Sequence, residues 1–226
     1  GHLNLPQLWQ DLNLSGDWQQ GSSQSLFESE QVDLSSASAD ERYQLLQRML
    51  ERFEGAKTFG SLIEVPEEDA APLRTLVAEL EQLARTGDVM QKPAADILLP
   101  YVQQAWILAQ RYDAVIANPP YMGSKGMNAP LKKFAKDAYP NSKSDLFAIF
   151  MERAFSLLRT NGYNAQINMQ SWMFLSSYEK LREWLLHNAT IITMAHMGSR
   201  AFDSISGEVV STTAFVIKNS AYPNYS

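Results

Sequence analysis

The chain has 226 residues, of which 45% are hydrophobic, and it contains no cysteine. This length allows a sizeable core in one or at most two domains, and the lack of cysteine excludes disulfide frameworks and thiolate metal sites, which fits a reducing cytosol. The formal net charge of −6 argues at face value against nucleic-acid binding. The sequence contains no run of about 18 apolar residues and no basic leader. It therefore predicts neither a membrane span nor a signal peptide.

The first half of the chain reads as an arm followed by helices. Residues 1–39 are predicted to form a loop-rich arm, because Ser, Gln and Asp dominate and the apolar residues are scattered. Residues 40–110 are predicted to form a helical region with one short strand. We expect the apolar stripe of its last helix to pack on a sheet. In order, the predicted elements are a helix over 40–53, a strand over 59–65, a helix over 66–87 and a helix over 94–110.

The second half, residues 111–226, alternates strands and helices. This alternation predicts an open α/β sheet, in which ligands bind beyond the carboxyl ends of the strands. The last two strands are separated by a Ser/Gly-rich loop, and we expect them to pair antiparallel. The predicted elements are a strand over 112–117, a loop, a helix over 145–158 that stops at Asn161 and Gly162, a strand over 163–169, a helix over 177–187, and strands over 190–197 and 211–218.

The sequence Asn118-Pro119-Pro120-Tyr121 directly follows the first of these strands. Two consecutive prolines fix φ near about −65° and remove two backbone donors, so the Asn118 side-chain oxygen and the Pro119 carbonyl can form a stiff pair of acceptors. Such a pair suits a substrate NH2 group, and Tyr121 offers an aromatic face for a planar substrate. A turn that merely ends the strand is the alternative interpretation.

Charge is distributed unevenly along the chain. Residues 1–110 hold 17 Asp or Glu against 7 Lys or Arg, a net charge of −10, whereas residues 111–226 hold 12 Lys or Arg against 8 Asp or Glu, a net charge of +4. A basic excess beside the Asn118 motif predicts a surface that binds the phosphates of a nucleic acid. A solvated helix face is an equally good interpretation, because Lys132, Lys133 and Lys136 have helical spacing. The candidate DNA-binding residues are Lys125, Lys132, Lys133, Lys136 and Lys143.

The Asn118 motif is one of an ordered series of segments, which are residues 113–121, 143–147, 161–162, 171–175, 181–185 and 212–217. The series resembles the amino-methyltransferases that use S-adenosylmethionine, above all the adenine-N6 DNA methyltransferases. It is most similar to the large enzymes of type IIG restriction systems and to the PglX methyltransferases of BREX phage-defence systems. The resemblance covers residues 111–219 well and residues 1–110 only weakly.

The resemblance implies a Rossmann-like methyltransferase sheet, with residues 111–226 as its catalytic half. The implied reaction is methyl transfer from S-adenosylmethionine to the N6 amine of adenine in DNA, within a restriction-modification or phage-defence system. Adenine must be flipped out of the duplex for this chemistry. No general base is needed before transfer, because attack on the sulfonium can precede loss of the proton. The expected partners are double-stranded DNA with a flipped adenine and other defence-system subunits, in the bacterial cytoplasm and without a membrane.

The resemblance also assigns roles to residues of this chain. Asn118, Pro119, Pro120 and Tyr121 form the catalytic motif, in which Asn118 and Pro119 hold the amine. Tyr121 stacks on the base, Tyr178 supports it, and Trp172 and Phe174 are nearby competitors for that role. The expected cofactor-binding residues are Asp113, Asp145 and Phe147, although Asp145 could instead only cap its helix.

One element of the methyltransferase pattern is missing. The family places a glycine-rich turn, Phe-x-Gly-x-Gly, upstream of the catalytic motif, yet no two glycines before Asn118 are separated by a single residue. We therefore expect the first strands of the sheet and the main cofactor loop to lie outside this chain, and we expect the chain alone to be inactive. No residue cluster predicts a metal site.

Two other functions remain open. The chain could be a non-catalytic fragment that binds nucleic acid or a partner and retains the motif as scaffold. It could also belong to an enzyme that methylates a protein glutamine, since such enzymes use Asn-Pro-Pro-Tyr as well. The lysine-rich stretch and residues 171–185 favour the DNA enzymes over this last alternative.

Overall fold

The computed structural model describes residues 3–14, 40–198 and 211–221. The chain divides into two units, Gly1–Gln110 and Arg111–Ser226, each with its own internal contacts. Among the described residues, no helix is both long enough and apolar enough to cross a membrane.

The described part of the first unit is helical. Apolar residues at helical spacing predict this structure, and capping side chains mark two of the starts. The Asp40 carboxylate accepts hydrogen bonds from the Arg42 backbone N–H at 2.8 Å and from its guanidinium at 2.7 Å, and this side-chain bond lowers the pKa of Asp40. The helices are α1 (Leu5–Leu12), α2 (Glu41–Arg52), α3 (Ala56–Phe59), α4 (Ala70–Thr86) and α5 (Gln91–Ala109).

These helices enclose one apolar core. Its centre is formed by side chains from four helices, and those of Leu12, Leu46, Leu73 and Leu98 are fully buried. Helix α4 ends at Gly87, where an added Cβ would lie 2.5 Å from the Leu83 carbonyl oxygen, so only glycine fits this turn. The core therefore includes the apolar faces that the sequence pattern predicts for α2 and α4.

The first unit differs from the sequence predictions in three places. The prediction of a strand over 59–65 is wrong. Residues Gly60–Leu62 form a 3₁₀ turn, and the side chains of Ile63 and Val65 are buried in the helical core instead of in a sheet. The buried side of α5 likewise joins the helical core rather than a sheet. Within the expected arm, residues 5–12 form α1, and residues 15–39 lie outside the described part.

The second unit is an α/β structure, which confirms the predicted fold class. Its strands carry β-branched and aromatic residues, and its helices begin at capping residues. The elements are β1 (Tyr112–Ala117), α6 (Ala129–Ala138), α7 (Leu146–Leu157), β2 (Leu158–Met169), α8 (Glu179–Asn188), β3 (Thr190–Gly198) and β4 (Thr212–Lys218).

The sheet of the second unit has the strand order β1-β2-β4-β3. Strands β1 and β2 are parallel, with Ala117 opposite Gln166 near their carboxyl ends. Strand β4 runs antiparallel to both β2 and β3, which confirms the expected antiparallel pair at the end of the chain. Because β1 and β2 are parallel neighbours, the loops that follow them lie at the same edge of the sheet.

The second unit also corrects two predicted boundaries. Helix α7 ends at Leu157, because Leu158 already pairs with Tyr112 in the sheet. Asn161, which has a left-handed φ of 68°, and Gly162 therefore lie in an irregular stretch of β2 and do not stop the helix. The segment predicted to be a loop after Asn118 contains helix α6, whose N-cap Asn128 accepts from the Leu131 N–H at 3.0 Å.

Candidate active site

The Asn118 motif lies directly beyond the carboxyl end of β1. Its polar and aromatic parts differ in exposure: Asn118 and Pro120 are exposed, Pro119 is buried and Tyr121 is half-buried. The buried proline anchors the loop while the amide side chain reaches solvent. This position agrees with the general placement of ligand sites in open α/β sheets.

Asp145 holds the end of the motif loop in place. Its Oδ1 accepts a hydrogen bond from the Met122 backbone N–H at 2.9 Å. Next to this bond, the Leu146 N–H donates to the Met122 carbonyl at 3.0 Å, and the Ser124 N–H donates to the Ser144 carbonyl at 3.0 Å. The chain just after Tyr121 is therefore tied to the start of α7 by both side-chain and backbone bonds.

The same carboxylate caps α7. Asp145 Oδ1 also accepts from the Phe147 N–H at 3.2 Å, so the capping role considered from the sequence is present together with the bond to Met122. Burial raises the pKa of Asp145, and the backbone hydrogen bonds act in the opposite direction. An acceptor shared between a helix start and a distant loop couples the positions of the two.

An aromatic cluster lies beside Asp145. The ring centroid of Phe147 lies 6.0 Å from that of Tyr121, at an interplanar angle of 82°, and 5.7 Å from that of Tyr178. Phe147 is fully buried and Tyr178 is 4% exposed. The structure thus brings together Tyr121, Asp145, Phe147 and Tyr178, with Phe147 as the central packing ring.

Both tyrosines of the cluster are poor acids. Burial is the main cause that raises the pKa of Tyr121, and the charge of Asp145 adds to it. Burial and the charge of Asp145 raise the pKa of Tyr178 to about 12, against the opposing effect of a hydrogen bond with Ser171. Both hydroxyls therefore stay protonated at neutral pH, and neither is suited to act as a base.

Two of the residues assigned from the sequence lie apart from the cluster or deep below it. Asp113 lies at the amino-terminal end of β1, roughly 17 Å along the strand from Asn118 by the usual rise per residue, and pairs with Arg159 at 3.1 Å. Trp172 is 3% exposed, with its ring centroid 5.6 Å from that of Phe215, so it packs in the core. The roles assigned to Asp113 and Trp172 from the sequence therefore stay predictions.

The candidate DNA-binding lysines are all exposed. Helix α6 buries Leu131 and Ala135 on one side and presents three of the lysines on the other. Lys133 forms an exposed ion pair with Asp137 at 3.6 Å. This arrangement fits both interpretations of the lysines, since a solvated helix face and a phosphate-binding face both need outward-facing charges.

A buried row of amides was not predicted from the sequence. Asn164, Gln166 and Asn168 project from one face of β2 and are at most 3% exposed. Gln166 donates to Asn164 at 2.8 Å, and Asn168 donates to Gln166 at 3.0 Å. Two of the row also donate to backbone carbonyls of α7, those of Phe150 and Met151. The available signal was the alternation of these amides with apolar residues over 163–169.

Across residues 3–14, 40–198 and 211–221, no group of three or more His, Asp or Glu side chains is arranged to hold a metal ion. His196 lies next to the Gln170 side chain, a contact that the sequence pattern does not predict.

Comparison with known proteins places this site in a family. Residues 26–202, well over half of the chain, match the family described as Eco57I restriction-modification methylase. The chain belongs to the Eco57I restriction-modification methylase family. This membership confirms the resemblance to restriction-type methyltransferases that was found from the ordered motifs.

Two curated relatives are similar over most of the chain. The adenine-specific methyltransferase BrxX of Escherichia coli O9:H4 (strain HS) is 60% identical over 217 residues, which are 96% of this chain and 18% of BrxX. The adenine-specific methyltransferase PglX of Lacticaseibacillus casei (strain Zhang) is 42% identical over 176 residues, which are 76% of this chain and 15% of PglX. The chain therefore spans less than a fifth of the length of these relatives.

Among solved structures, the chain is similar to one that is described as a class I S-adenosylmethionine-dependent methyltransferase from Listeria monocytogenes. It matches with a TM-score of 0.41 and 13% identity, over 84% of this chain and 71% of the Listeria chain.

Proposed function

We propose that this chain is the motif-bearing part of a DNA methyltransferase that acts on the N6 amine of adenine in a restriction-modification or phage-defence system. The observation that carries the proposal is the Asn118 motif at the carboxyl end of β1, fixed by the bond from the Met122 N–H to Asp145. Family membership and two relatives named as adenine-specific methyltransferases support it.

The motif residues act on the amine. The Asn118 side-chain oxygen and the Pro119 carbonyl accept hydrogen bonds from the two N6 hydrogens and draw the nitrogen toward a tetrahedral geometry with its lone pair exposed. Tyr121 stacks on the flipped adenine. Phe147 packs against the Tyr121 ring and Tyr178 packs against Phe147, so these two residues support the Tyr121 ring from behind. The protonated state of both hydroxyls agrees with a reaction that needs no base before transfer.

S-adenosylmethionine is the proposed methyl donor. Its expected contacts in this chain fit poorly, because Asp113 lies at the opposite end of β1 and Phe147 is fully buried. Asp145 is half-buried beside the motif and is the remaining candidate of the three. We therefore assign the main cofactor-binding surface to the part of the longer protein outside this chain, in agreement with the missing glycine-rich turn.

Isotope transfer tests the proposed function against its alternatives. The full-length parent protein is incubated with methyl-labelled S-adenosylmethionine and with either DNA or protein substrates. Label in N6-methyladenine is the expected result. Label in a glutamine side chain would instead support the protein-methylating alternative. Binding of DNA without transfer of label to either substrate, by a parent shown to be folded and to bind the cofactor, would support the non-catalytic module.

The lysines of α6 give a second test, of DNA binding. Replacing Lys132, Lys133 and Lys136 by Gln in the full-length parent should weaken DNA affinity, and the salt slope of log affinity should flatten by up to about 0.9 for each phosphate that is no longer neutralised. Affinity is measured by fluorescence anisotropy over a series of salt concentrations. Replacing Lys57 and Lys92, which are exposed residues of the first unit, by Gln is the control. An unchanged slope in the α6 variant would identify its lysines as a solvated face.

A further inference from the structure

The loop after β2 exposes two large apolar side chains. Phe174 is 69% exposed and Leu175 is 52% exposed, between the 3₁₀ turns Gln170–Met173 and Ser176–Tyr178. Single exposed apolar residues are common on protein surfaces. The position and the backbone of this pair decide whether it has a role.

The backbone of this loop is held firmly. Arg182 Nη1 donates to the Trp172 carbonyl at 2.8 Å and to the Leu175 carbonyl at 2.7 Å. The Leu175 N–H donates to the Ser171 carbonyl at 3.0 Å, and the Tyr178 N–H donates to the Leu175 carbonyl at 3.1 Å. Charge-assisted bonds such as those of Arg182 are among the strongest in proteins. The two side chains are thus displayed on a fixed support.

The residues on either side of the pair already occupy the core. Trp172 packs against Phe215 and is 3% exposed, and Tyr178 packs against Phe147 and is 4% exposed. The chain is thus anchored in the core on both sides of the pair, while the side chains of Phe174 and Leu175 stay on the surface.

The loop lies next to the motif. Strands β1 and β2 are parallel neighbours, so the loops after them share one edge of the sheet. Tyr178, four residues after Phe174, contacts Phe147, and Phe147 contacts Tyr121. The buried ring of Phe147 thus links Tyr178, which anchors the loop of Phe174, to Tyr121 of the motif.

We propose that Phe174, with Leu175 beside it, is a wedge that stacks on the DNA bases next to the flipped adenine. This inference rests on the proposed function. Flipping a base breaks its stacking with both neighbours, and apolar side chains inserted between base steps are a known means of stabilising opened DNA. The positive charge of residues 111–226 and the five exposed lysines in the sequence that follows the motif make a nucleic acid the matching partner for this apolar pair.

Base flipping can be measured apart from methylation. The target adenine, located first from the methylation pattern of the full-length parent, is replaced by 2-aminopurine, whose fluorescence rises when it leaves the stack. Phe174→Ala should reduce the equilibrium constant for flipping about tenfold or more, since stacking on an aromatic side chain contributes an effect of this order. Phe174→Trp, which keeps a stacking surface, should restore most of the signal.

Two controls separate the possible outcomes. Leu186→Ala removes an apolar side chain that is 71% exposed on α8, and it should leave flipping unchanged. Asn188→Ala removes an exposed polar side chain at the end of the same helix and should also leave flipping unchanged. If Phe174→Ala flips the base as well as the wild type does, the proposed wedge role is wrong. Loss of binding to another protein subunit in that variant would then assign the pair to a protein contact. If the full-length wild type methylates no adenine in the first step, the proposed function itself is contradicted before flipping is measured.

Discussion

Replacing Asn118 by Ala in the full-length parent should lower the rate of N6-methyladenine formation by about 10²- to 10³-fold, the usual effect of removing one preorganised polar group from a transition state. The acceptor oxygen of Asn118 acts on the reacting nitrogen, so the loss should appear in kcat. Because Asn118 is exposed, the fold should be unaffected. The measurement is mass-spectrometric quantification of N6-methyladenine in single-turnover reactions.

Two further variants refine this test. Asn118→Asp keeps acceptor oxygens on the side chain and should retain more activity than Asn118→Ala. Asn188→Ala removes an exposed asparagine at the end of α8, in the same unit, and should methylate at the wild-type rate. Methylation by Asn118→Ala within tenfold of the wild type would remove Asn118 from the catalytic role.

Replacing Asp145 by Ala should be the second most damaging change. It removes the acceptor for the Met122 N–H and the cap of α7, and removal of the cap alone should cost about 1 kcal/mol of stability. Because the motif loop then loses its side-chain bond to α7 and keeps only the backbone bonds at Met122 and Ser124, we expect its position to shift and kcat to fall by at least about tenfold, since small misplacements of reacting groups are costly. Thermal unfolding and single-turnover kinetics measure the two effects.

Two matched variants separate positioning from cofactor binding. Asp145→Asn keeps an oxygen that can accept from both N–H groups and should restore most of the activity. Asn128→Ala removes a comparable cap from α6 without touching Met122, and should reduce stability but not kcat. A rise in KM for S-adenosylmethionine with unchanged kcat would show that Asp145 binds the cofactor instead of positioning the loop.

Local patterns in the sequence determined much of the second unit. The apolar run over 112–117 followed by two prolines predicts a strand that ends in a rigid loop, and β1 has these bounds. Asp145 before an apolar helical segment predicts the start of α7, and β-branched runs predict both final strands. These features depend on residues that are neighbours in the chain, so their physical cause is visible without the fold.

Contacts between distant residues could be decided only by the tertiary structure. Asp145 meets Met122 across 23 positions of the chain, and Tyr178 meets Tyr121 only through Phe147. The strand predicted over 59–65 failed for the same reason, because a short apolar run suits a sheet or a helical core equally well until its partners are known. The motif was therefore determined by the sequence, whereas the residues that hold it in place were determined by packing.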